Sequence, residues 1–61
     1  MLTYKMLHQI LREAEQRVAN ESLPADVRTR SQETVALCNE RMTNEGITRK
    51  DLRRLIAKGA A

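Results

Sequence analysis

Leu7, Ile10, Leu11, Ala14 and Val18 recur at three- and four-residue intervals along the first third of the chain. At 3.6 residues per turn this spacing gathers all five on one side of an α-helix, an alignment that a strand's two-residue period cannot produce. Lys5, Gln9, Arg12 and Gln16 fall on the opposite side, as a solvated face requires. Glu13 and Arg17 stand four apart in the favourable order, an exposed pair worth about 0.2–0.5 kcal/mol. Thr3 precedes the stripe and is suited to cap it. The pattern predicts a helix over about 3–19. Its apolar face meets either a core or a second copy of the chain, since both would use the same residues.

The stripe stops at Asn20-Glu21-Ser22-Leu23-Pro24. Proline disfavours helical geometry at the residue before it and suits the first turn of the helix that follows. A second helix is therefore predicted over about 24–44, with Asp26 near the positive end of its dipole. Its apolar line of Val27, Ser31, Thr34, Val35, Cys38 and Met42 is correctly spaced, but its side chains are small and partly polar. Leu37 lies off that line by roughly a third of a turn, at 100° per residue. It is either a singly exposed leucine or part of a second interface.

Asn44-Glu45-Gly46 provides the next stop, with glycine suited to the left-handed position after a helix. Thr48 with Asp51 three residues on forms a capping box, and Ile47 with Leu52 forms the hydrophobic staple beside it. The third helix is predicted over about 48–58, with Gly59 ending it. Leu52, Leu55 and Ile56 make a narrow apolar edge, and Arg49, Lys50, Arg53, Arg54 and Lys58 occupy most of the remaining circumference. With two glycines, one proline and no Phe or Trp, strands have little support. The fold class expected is all-α: an antiparallel helical hairpin with a short third C-terminal helix, in one small domain over 1–61.

At 61 residues, such a chain buries only about 60% of the surface it exposes when unfolded. Hydrophobic residues make up 41% of it, but seven of them are alanine. Small proteins offset a thin core with disulfides, a metal or oligomerisation. Cys38 is the only cysteine and His8 the only histidine, so neither an internal disulfide nor a structural zinc site can be assembled. Oligomerisation remains, most simply as a homodimer. Two hairpins joined through Leu7, Ile10, Leu11, Ala14 and Val18 would form a dimeric helical bundle.

Catalytic chemistry finds no foothold. His8 and Cys38 lack a third orienting group, the carboxylates are scattered singly, and both glycines are helix terminators rather than parts of a phosphate loop. No catalytic residue, metal or cofactor is expected. A lone cysteine argues against an oxidising secretory setting, and no run approaches the 18 apolar residues of a membrane span. The expectation is a cytoplasmic protein with no membrane contact.

The net charge of +3 is unevenly placed, because residues 47–61 hold five basic groups and one acid. Arg49, Lys50, Arg53, Arg54 and Lys58 are candidates to meet an acidic protein groove, with Leu52, Leu55 and Ile56 as anchors, and Leu37 is a further candidate contact. These basic groups would equally meet nucleic acid phosphates, with an affinity that falls as salt rises. A solvated helix face would also carry such residues. Gly46-Ile47-Thr48-Arg49-Lys50-Asp51-Leu52 is similar to the turn after the oligomerisation helices of histone-like nucleoid-structuring proteins. It also resembles the start of the second helix in phage-repressor-type helix-turn-helix domains. Either resemblance implies DNA association through a further element, a recognition helix after Leu55 or a separate domain. It covers seven of the 61 residues. The functional expectation is a non-catalytic protein-interaction module, a small regulator, inhibitor or adaptor acting as a homodimer. The alternative is a nucleic-acid-associated regulator using the basic helix.

Overall fold

Three helices and no strand form the described part of the chain, residues 3–59 of a computed structural model: α1 (Tyr4–Ala19), α2 (Ala25–Glu45) and α3 (Arg49–Ala57). Each boundary has a local cause. The Thr3 hydroxyl caps α1 by accepting a hydrogen bond from the Met6 N–H at 3.1 Å. The link to α2 is tied by Asn20, whose carbonyl accepts from the Leu23 N–H and whose side chain accepts from the Ser22 N–H. Pro24 stands at the N-cap, one residue ahead of the first-turn position that the sequence suggests. Its extended ψ of 151° lets its carbonyl accept the first helical bond, from the Arg28 N–H at 3.2 Å. Arg28 then turns back, and its Nε donates to the Val18 carbonyl at 3.3 Å, satisfying one orphan acceptor in the last turn of α1.

At the far end of α2, Gly46 adopts φ 69°, in the left-handed region. Its N–H donates to the Thr43 carbonyl and the Ile47 N–H to the Met42 carbonyl, the paired bonds of a Schellman motif. Ile47 and Met42 both join the core, which supplies the apolar contact that usually accompanies this motif. Two residues later the capping box of α3 closes: Thr48 Oγ1 accepts from the Asp51 N–H at 3.2 Å, and Asp51 Oδ2 accepts from the Thr48 N–H at 3.0 Å. Helix stop and helix start thus share one four-residue turn.

Both α2 and α3 pack on α1, and they make no close helix-to-helix approach to each other. Leu7, Leu11, Cys38, Met42 and Leu52 form the buried cluster, with Tyr4, Ile10, Val35, Ile47 and Ile56 partly buried around it. Ala14 is fully enclosed as well. The one buried polar side chain among the described residues, Ser31, donates to the Val27 carbonyl at 2.9 Å, so its hydroxyl is satisfied within its own helix. The molecule measures 37 × 20 × 20 Å with a radius of gyration of 12.4 Å. A chain of this length folded into a ball would have a radius of about 10.5 Å. The elongation follows from helix lengths, since α2 runs about 31 Å while α3, at about 1.5 Å per residue, runs only about 13 Å. The third helix can cover only part of the hairpin.

Candidate interaction surfaces

Within one chain, α1 turns Leu7, Leu11 and Ala14 fully inward and leaves Ile10 and Val18 half-buried. The stripe expected to join two copies is therefore engaged by α2 and α3 of the same molecule. A bundle built through that face would have to compete with this packing.

Five other regions could act on something else. The first is the meeting of α1's start with α2's end. There the Tyr4 hydroxyl donates to Glu45 Oε1 at 2.8 Å, and Arg41 Nε donates to Glu45 Oε2 at 2.8 Å. The Arg41 guanidinium also sits 5.7 Å from the centre of the Tyr4 ring. Hydrogen bonding by Arg41, then by Tyr4, holds the Glu45 carboxyl below its ordinary range. Donating to that carboxylate raises the Tyr4 phenol. These groups satisfy one another and serve as a clasp on the hairpin.

The second region is the basic helix. Arg49 reaches across to α1 and grips both oxygens of Glu15, at 2.9 and 2.5 Å. Arg54 pairs with Asp51, whose carboxylate already accepts from the Thr48 N–H and is lowered chiefly by that bond. Two of the five cations suggested for a partner are thus engaged inside the chain. Lys50, Arg53 and Lys58 are exposed and form no ion pair among the described residues.

A groove runs beside α3 along the outer side of α1, lined by Lys5, His8, Arg12 and Ile56 together with Gln9, Glu13 and Gln16. Its one acid, Glu13, lies 4.0 Å from Arg17 and accepts from Gln9 at 3.4 Å. Nearer the α1–α2 turn, Val18, Ala19 and Val35 line a second cleft with Glu15 and Gln32 at its rim. This cleft lies toward the α1–α2 turn, where α3 reaches its Glu15 edge through the Arg49 side chain.

No family model matches the chain, and no curated protein or solved structure does.

Among the described residues Met6 and Leu37 are the large apolar side chains left exposed, and Leu37 is the more so, at 66%, on the side of α2 turned away from the core. Asp26, Glu33 and Glu40 follow one another at seven-residue spacing along that side. All three are exposed and free of ion pairs among the described residues. Cys38 points the other way, into the core, and burial raises its thiol above the ordinary value. A buried neutral thiol is a packing group and a poor nucleophile. Among the described residues, no three His, Cys, Asp or Glu side chains come together as a metal site requires. None of the helices is long and apolar enough to cross a membrane.

Proposed function

We propose that this chain is a non-catalytic helical interaction module, a small regulator or adaptor that self-associates as a homodimer or larger assembly and works by protein–protein contact. The observation that carries the reading is Leu37. The most exposed large apolar side chain among the described residues stands on the solvent side of its helix, although large apolar residues are few in a molecule this small. Elongation supports it: the accessible surface is 4571 Å², against about 4,000 Å² for a folded monomer of this mass. Light scattering during size exclusion, over a range of concentrations, tests the reading. A mass that rises above 7.0 kDa with concentration is expected. A cooperatively folded monomer throughout would refute self-association.

The second reading is a nucleic-acid-associated regulator, favoured by Lys50, Arg53 and Lys58, which form no ion pair among the described residues. Its test is reversal at Lys50, Arg53 and Lys58 rather than at Arg49 or Arg54, whose loss would also disturb the fold. Binding of duplex DNA that weakens steeply with salt, and that these reversals abolish, would support it.

A further inference from the structure

We infer that copies of this chain join head to tail, the Leu37 face of α2 on one copy seating in the basic groove beside α3 on the next. The inference rests on the self-association proposed above and names the surfaces that perform it. Charge is the first argument. Lys5 and Arg12 lie on the outer side of α1 and Arg53 on the flank of α3 next to Ile56; all are exposed and form no ion pair among the described residues. The only acid in that groove, Glu13, already has Arg17 and Gln9 as neighbours. The other surface carries Asp26, Glu33 and Glu40, equally unpaired, with Arg30 as the one free cation bordering Leu37. A positive groove and a negative ridge therefore exist on the same molecule.

Spacing is the second argument. Lys5 and Arg12 are seven residues apart, and so are Glu33 and Glu40, which on straight helices means about 10.5 Å in both cases. If α1 of one copy runs parallel to α2 of the next, Lys5 meets Glu33 and Arg12 meets Glu40. His8 lies about 50° back from the Lys5–Arg12 line and Leu37 about 50° forward of the Glu33–Glu40 line, which on parallel helices face to face brings them to the same flank. That register lays the exposed leucine on the His8 and Ile56 side of the groove, within about 1.5 Å of the level of His8, between two opposite-charge pairs. An antiparallel register pairs the charges equally well but turns Leu37 to the Gln9 and Gln16 side.

Geometry sets the mode of assembly. Each surface lies on the side of its helix turned away from the α1–α2 seam, so the two point away from each other. A contact between them is heterologous, leaves one complementary face open at each end, and grows into chains unless the rotation closes a ring.

A charge-swap experiment by sedimentation velocity tests this with the full chain. Wild type should gain mass with concentration at low salt and return to the 7.0 kDa monomer at about 1 M salt, where charges are screened beyond about 3 Å. The Lys5→Glu/Arg12→Glu and Glu33→Lys/Glu40→Lys double variants should each stay monomeric. An equimolar mixture should recover the wild-type rise in mass, because each double variant then meets its complement. Leu37→Ser should weaken association at least tenfold with helicity unchanged. All five positions are exposed; should a reversal disturb folding, the neutral Lys5→Gln/Arg12→Gln variant serves the same comparison. Double variants that assemble like wild type, or a mixture of folded variants that stays monomeric, would overturn these surfaces while leaving self-association intact. A monomeric wild type overturns both. A monomeric wild type that retains a duplex DNA probe, with retention lost in Lys5→Glu/Arg12→Glu, assigns the groove to nucleic acid instead.

Discussion

The two halves of the hairpin are built from the same two helices and differ in one respect, the presence of α3. Where α3 lies across α1, Leu7, Leu11, Cys38 and Met42 are closed over by Leu52, which is fully buried. Toward the α1–α2 turn, Val18 and Val35 are half-buried and their outer sides line an open cleft. Two helices can pair their facing stripes, but a third surface is needed to shut out water. The difference also explains why small residues suffice on α2. Ser31 and Cys38 let α1 approach closely, while the large apolar mass is delivered by Leu7, Leu11 and, from outside the hairpin, Leu52.

The largest test of this contrast is Leu52→Ala. Removing a fully enclosed leucine leaves a cavity at the meeting of all three helices and should cost about 2–5 kcal/mol. For a chain this small that is much of its total stability. Urea unfolding followed by circular dichroism would show the midpoint collapse, with α3 losing protection from hydrogen exchange before the hairpin does. A loss below about 1 kcal/mol would mean that α3 is not what closes this half.

Next in size is the joint that delivers α3. Gly46 holds φ 69°, and a Cβ built there would meet nothing within 4 Å. The cost of Gly46→Ala is therefore conformational alone, about 1–2 kcal/mol for a left-handed L-residue. It should fall on the docking of α3 and leave α1–α2 pairing untouched, which exchange measured residue by residue can separate.

Acid should act at the same end of the molecule. Glu45 and Asp51 both have carboxyls held below the ordinary range in the folded state, so the unfolded chain takes up protons first as pH falls. Their contribution is complete above the ordinary carboxylate range and is lost progressively as pH drops through it toward their lowered values. One group clasps Tyr4 to α2 and the other caps α3. Acid titration should accordingly loosen the α3-covered half before the turn. Glu45→Gln should flatten the tyrosine part of this response, read by Tyr4 fluorescence.

What was legible in the sequence follows the reach of the interactions. The capping box at Thr48 and Asp51, the left-handed stop at Gly46 and the Thr3 cap are all made within a few residues, so the sequence order contains them. The Leu7, Leu11 and Ala14 stripe is periodic and equally plain. The Glu15–Arg49 grip is not, because it joins residues 34 apart and exists only once α3 has folded back over α1. The one available hint was Glu15 itself, an acid beside the apolar stripe, one turn after Leu11. The Tyr4–Glu45 clasp, 41 residues apart, was hidden for the same reason. Composition alone therefore presented five cations on α3 and its cap; tertiary packing engages Arg49 and the local i,i+3 pair with Asp51 engages Arg54, which leaves three.

The finest probe applies the same kind of change to both halves. Cys38→Ser and Val35→Thr each replace an apolar group with a hydroxyl of similar size, and each hydroxyl can turn back to the carbonyl four residues earlier, as Ser31 and Thr34 do. At Cys38 the replacement is sealed beneath Leu52, and the second hydrogen-bonding capacity of the hydroxyl goes unmet, costing about 1 kcal/mol. At Val35 water in the cleft can meet it, and the cost should be only about 0.3 kcal/mol, within the range of ordinary surface changes. Thermal unfolding of the two variants, at a concentration where the chain is monomeric, gives the comparison directly. Equal costs at that concentration would mean that the cleft is shut to water within a single chain. If the costs become equal only as concentration rises, the Val18 and Val35 cleft is being covered in the assembly, and the open half of the hairpin is open only while the chain is alone.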